Sequence, residues 1–119
     1  MKKDITQYNS NGRLIECWKY HPNGRLKYLA NYYSNGNKKD ETFFCEDGCC
    51  HRKKFPASLE WHEDGKLIYC SYYTYGWTHN NNNPATIYFN NKGKINEKYY
   101  MNWGKGYLKL DWMNCIKEI

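Results

Sequence analysis

The chain contains no apolar run approaching the roughly 18 residues that a membrane-spanning helix requires, and its start, MKKDITQYNS, lacks the apolar stretch of a secretory leader. These absences predict a soluble, cytoplasmic protein. Ala, Val and Leu are scarce, which excludes a thick aliphatic core. There is no Ser-His-Asp order, no His-Glu-x-x-His and no phosphate loop, so the residues that nucleophilic, zinc-dependent or nucleotide chemistry would need are not arranged for it. The expectation is a non-enzyme without a cofactor.

What the sequence has in place of these is aromatic side chains. They make up 18% of 119 residues, and thirteen of them are Tyr. Tyr buries a ring while leaving its hydroxyl in water, which suits a thin sheet of half-buried residues. The length fits one domain, 1–119. Six cysteines in a reducing compartment are expected as free thiols. The net charge of +6 is spread along the chain and is compatible with an acidic partner.

An aromatic residue stands four positions before a glycine at Tyr8/Gly12, Tyr20/Gly24, Tyr32/Gly36, Phe44/Gly48, Trp61/Gly65, Tyr72/Gly76, Phe89/Gly93 and Tyr100/Gly104. The glycine spacings are 12, 12, 12, 17, 11, 17 and 11. This is an internal repeat with two insertions of about five residues. Asn or Asp precedes most of these glycines, and such pairs tolerate the positive φ of hairpin turns. A basic residue usually follows, then an apolar one (Leu14, Leu26, Leu67, Ile95). The intervening seven or eight residues make one strand. Strict alternation would put Leu14, Trp18 and Tyr20 on one face, and Leu26, Tyr28, Ala30 and Tyr32 on one face. The predicted fold is all-β, an antiparallel meander of eight or nine short strands.

The insertions are Cys49 to Ser58, expected as a protruding loop with the basic cluster His51, Arg52, Lys53 and Lys54, and Thr78 to Pro84, expected to be exposed and mobile. Asp111 could cap a short C-terminal helix in which Trp112, Ile116 and Ile119 share a face, a cap over about 108–119. The N-terminal strand edge would then be open, and a homodimer could form through strand edges.

The repeat aromatics are expected to pack one hairpin on the next. Those outside that register exceed what one thin core requires, and together with the basic loop they form the expected partner-binding set: Trp18, Tyr28, Tyr33, Tyr73, Tyr75, Trp77, Trp103, Arg52, Lys53 and Lys54. Cys45, Cys49, Cys50 and His51 are zinc-type ligands within seven residues. Their spacing is poor, because adjacent extended residues point to opposite faces, and buried or loop thiols are the expectation there. Cys17 and Cys70 each lie five residues after a repeat glycine and are expected as small core fillers.

The stretches YNSNGRL, YHPNGRLKYLANYYSNGNK, WHEDGKLIYCSYY and FNNKGKINEKYY resemble the MORN repeat, especially the Tyr-x-x-Asn-Gly-Lys-Leu variant of bacterial antitoxin-like and viral proteins. The resemblance runs from Tyr8 to about Tyr107, although the third and fourth copies lack the Leu. It implies hairpin units of about 23 residues, a scaffold or binding role with protein partners, and no catalytic residue. The tyrosine-aspartate repeats of large bacterial toxin shells are similar in flavour, with longer units. A protein-binding module acting by occlusion or scaffolding, such as an inhibitor or antitoxin-like blocker, is the leading functional expectation. The alternatives are an anionic-surface binder, for membrane headgroups or single-stranded nucleic acid through the basic loop, and a self-assembling structural repeat.

Overall fold

In the computed structural model the described residues are 3–80, 83–102 and 105–107, with 102 and 105–107 described through their backbone. They form strands β1 (Ile5–Tyr8), β2 (Leu14–Tyr20), β3 (Leu26–Tyr32), β4 (Lys38–Phe43), β5 (Ser58–Trp61), β6 (Leu67–Ser71), β7 (Tyr73–Thr74), β8 (Trp77–Thr78), β9 (Thr86–Phe89), β10 (Ile95–Asn102) and β11 (Lys105–Tyr107). Nine of these pair in the order β1-β2-β3-β4-β5-β6-β9-β10-β11, and β7 and β8 form a separate two-stranded ribbon. Every pairing is antiparallel, so the fold is the expected all-β meander. No helix occurs among the described residues. The expected cap over 108–119 and the expected contact residue Trp103 lie outside them.

Six turns share one construction. In the first, Gly12 N–H donates to the Asn9 carbonyl and Asn9 N–H to the Arg13 carbonyl, and the pattern repeats at Gly24, Gly36, Gly48, Gly65 and Gly93. Only the glycine takes positive φ in these turns. At Gly24, Gly36 and Gly65 the preceding Asn or Asp accepts a backbone N–H through its side chain, as Asn23 does from Arg25 and Asp64 from Lys66, and at Gly12 and Gly93 the Asn three residues before the glycine does so. Gly24 sits at φ +88° in open space, so Gly24→Ala carries only the conformational penalty. We expect a loss of about 1–2 kcal/mol, visible as a lowered urea midpoint; an unchanged midpoint would refute this account of the turn.

A bulge follows five of these turns, all but that of Gly48. Tyr20 opposes Leu26 and Lys19 opposes Tyr28, so Lys27 is the extra residue; Ile15, Lys39, Ile68 and Asn96 stand in the same place. An inserted residue flips everything beyond it to the other face. The strict alternation expected from sequence therefore fails at this step: Leu26 lines one face with Trp18 and Leu29, while Tyr28 and Ala30 belong to the other. Leu14 is separated from the Trp18 face in the same way.

In a meander, successive turns alternate between the two ends of the sheet. The turns of Gly12, Gly36, Gly65 and Gly93 share one end, and the residue after each of the first three glycines fastens its turn to the next one along. Arg13 donates to the Ser34 carbonyl, Asn37 to Glu63 and Lys66 to Asn91. At the other end Arg25 donates to the Asp47 carbonyl at 2.6 Å. Arg13, Arg25, Asn37 and Lys66 are thus structural ties between turns.

The molecule is thin, 55 × 39 × 16 Å, with the core on one face. One row across that face reads Tyr28, Phe43, Ala57, Tyr72, Ala85, Tyr100, in which aromatic residues flank small ones. Ala57 and Ala85 are fully buried between them. The adjacent row contains Cys17, Ala30, Glu41, Leu59 and Cys70; Cys17 and Cys70 are buried there, as expected of small core fillers.

Candidate binding surface

Both insertions leave the sheet at the same end and return by the same step. Cys50 still bridges Phe44, as the first residue of a regular second strand would, but Phe43 N–H then donates to the Ala57 carbonyl. Residues 51–56 are thus extruded at the position of the bulge, and the chain re-enters through Pro56-Ala57-Ser58. The second detour re-enters through Pro84-Ala85-Thr86, with Tyr72 N–H donating to Ala85.

The Gly76 turn departs from the expected repeat. Its structural counterpart to Phe44 is Tyr73, three residues before the glycine, which leaves room only for a two-residue hairpin. Tyr75 and Gly76 both take positive φ, 46° and 86°, and Tyr73 pairs with Thr78 in the separate ribbon. The start of the Thr78 to Pro84 segment is anchored rather than exposed: His79 N–H donates to the Tyr72 carbonyl, and the His79 side chain is buried.

The two detours pack on each other. Gly76 N–H donates to the Cys50 carbonyl at 2.8 Å and Arg52 N–H to the Tyr73 carbonyl at 3.4 Å. A Cβ on Gly76 would lie 3.5 Å from Cys49 Cβ, an ordinary packing distance, so it is the φ of 86° that favours glycine there. Tyr75 N–H donates to His51 Nδ1 at 3.0 Å, and the His51 and Tyr75 rings stack at 4.2 Å. The Arg52 guanidinium lies 3.9 Å over Phe43 and 5.1 Å from Phe55, and it donates to the Pro56 carbonyl. The result is one protrusion that exposes Phe55 (58%), Tyr75 (60%) and Trp77 (57%) beside Lys53 and Lys54.

Five of the expected contact groups, Arg52, Lys53, Lys54, Tyr75 and Trp77, thus come together, with Tyr73 half-buried at their base. Phe55 belongs with them and was not expected; its place within the basic loop was the available signal. Trp18 lies elsewhere, in a groove of about 660 Å³ with Tyr20, Leu26, Leu29 and Phe44. Tyr28 and Tyr33 are half-buried with their hydroxyls engaged within the sheet: that of Tyr28 donates to Glu41 at 2.6 Å and that of Tyr33 to the Trp61 carbonyl at 2.7 Å. A further aromatic cluster on the sheet, Tyr69, Tyr88 and Tyr99, has ring separations of 5.6 and 6.0 Å. The Tyr99 hydroxyl is held by Glu97, a bond that raises its pKa.

Among the described residues no group of three or more His, Cys, Asp or Glu is placed to hold a metal ion. His51 Nδ1 is taken by the Tyr75 N–H. Burial, then the Cys45 and Cys49 thiols, pushes Cys50 up to about 11, and Cys49 is raised as well. Protonated thiols are poor nucleophiles and poor metal ligands. The five described cysteines are free. No described helix is long and apolar enough to cross a membrane. Compared with known proteins, the chain matches no family model and no curated sequence.

Proposed function

We propose that the protein is a non-catalytic, MORN-like binding module that docks a protein partner through the composite protrusion and acts by occlusion or scaffolding, as an inhibitor or antitoxin-like blocker would. The observation that supports this reading is the convergence of Phe55, Tyr75 and Trp77, each more than half exposed, with Arg52 on one ordered protrusion. Exposed aromatic side chains, which have few rotamers to lose, and Arg side chains already held in place are the groups that dominate protein interfaces.

The test is affinity capture from nuclease-treated host-cell lysate at low and high salt, comparing the native chain with a Trp77→Ala variant. A stoichiometric protein that survives high salt and is lost with Trp77→Ala is the expected result. Recovery confined to low salt, or abolished by nuclease, would replace this reading with charge-driven binding of an anionic surface through His51 to Lys54.

A second reading, self-association, is supported by β1. All four of its residues are exposed, Ile5 and Tyr8 among them, and it carries no Lys or Pro to block strand addition. It requires a mass in solution that rises with concentration; a monomer at every concentration sinks it.

A further inference from the structure

The protrusion encloses, at its base, a pocket of about 260 Å³ whose walls come from both detours: Arg52 and Lys54 from the first, Tyr72, Tyr73, His79 and Asn80 from the second and its flank. We infer that this pocket seats an oxyanion group carried by an acidic segment of the partner protein, an inference that rests on the protein-binding reading above.

Three observations carry it. The first is uncompensated charge. Among the described residues the salt bridge is Lys38 to Glu41, and no carboxylate pairs with Arg52 or Lys54. The second is that the guanidinium is held in place by neutral groups. The Phe43 and Phe55 rings fix its plane and the Pro56 carbonyl takes one N–H, leaving other donors of the fork for a ligand. An oriented guanidinium beside a second cation matches a carboxylate or phosphate, and less freedom is lost when the bond forms. Tyr72 adds to this, because burial and then Cys70 raise its pKa and keep its hydroxyl a donor.

The third observation is what surrounds the pocket. Phe55, Tyr75 and Trp77 are exposed on the same protrusion and need apolar surface to cover them. A peptide that places acidic side chains next to apolar ones satisfies both, and the net charge of +6 draws such a segment in.

The test titrates the isotope-labelled full chain with hexaglutamate and, separately, with inorganic phosphate, following the backbone amides of Tyr73, Thr74 and Asn80. Lys54 has φ 66°, which Asn tolerates, so Lys54→Asn removes the charge without straining the loop. Saturable shifts with hexaglutamate, weakened about fivefold or more in Lys54→Asn, are expected. Absence of saturation, or equal binding by the variant, would overturn the pocket. A response to phosphate with none to hexaglutamate would overturn the acidic-segment source. The parent reading is judged apart from this: partner capture that depends on Trp77 but is indifferent to Lys54→Asn and to added hexaglutamate removes the pocket and leaves the protein-binding module standing.

Discussion

Trp77→Ala is expected to weaken partner binding by roughly thirtyfold or more, about 2 kcal/mol, while leaving the melting temperature within a degree or so of the native chain. Trp77 belongs to a two-residue strand, and its ring is 57% exposed, so it contributes little to the core. The backbone bonds that dock the ribbon run through Arg52, Gly76 and His79, and the substitution leaves all of them in place. Tyr75 offers an independent check. Its φ of 46° is one that glycine adopts freely, so Tyr75→Gly removes the ring and relieves the backbone at once. Binding should fall and the fold should hold, although the His51 stack is lost. Tyr8 is equally exposed, at 59%, on the edge strand and at the opposite end of the sheet. Tyr8→Ala should bind normally; if it binds as poorly as Trp77→Ala, the protrusion is not the docking surface.

The strand count and the turns were legible because glycine spacing is a one-dimensional signal and each turn is closed by residues within five positions of one another. The bulges were not. Lys27 and Ile15 leave no mark in a period-two pattern, yet each reverses the face of the residues beyond it. The internal bonds of the Tyr28 and Tyr33 hydroxyls were not legible for a related reason: counting surplus aromatics does not reveal which hydroxyls have a partner across the sheet. The protrusion was half legible. Arg52 to Lys54 and Tyr73 to Trp77 were both singled out, as separate features. Their meeting follows from topology, since turns two steps apart share an end of the sheet, and Cys49 occupies the position from which Arg25 reaches its neighbouring turn. The shared Pro-Ala-Ser/Thr return at Ala57 and Ala85 was a sequence signal for equivalent detours.

Glu41→Ala should destabilise the core face by about 2 kcal/mol, because it strips the partner from two groups at once. Glu41 is buried on β4, and the same carboxylate oxygen accepts from the Tyr28 hydroxyl at 2.6 Å and from the Lys38 ammonium at 2.8 Å. Tyr28→Phe removes only one of those bonds and should cost about 1 kcal/mol. The pair also predicts an alkaline signature. Burial first, and the Glu41 carboxylate second, push the Tyr28 phenol well above its ordinary value near 10. The folded chain therefore retains a proton that the unfolded chain releases. The corresponding stability is fully present below about pH 10 and is lost as pH rises from there through the folded value. Tyr72 and Tyr99 are raised too, so the informative quantity is the difference between native and Tyr28→Phe chains in urea midpoints from neutral pH to above pH 10. The variant should lose less stability over that range. Parallel curves would show that the Tyr28 phenol is neither buried nor bound to Glu41 in solution, and Tyr28 would then be free for partner contact.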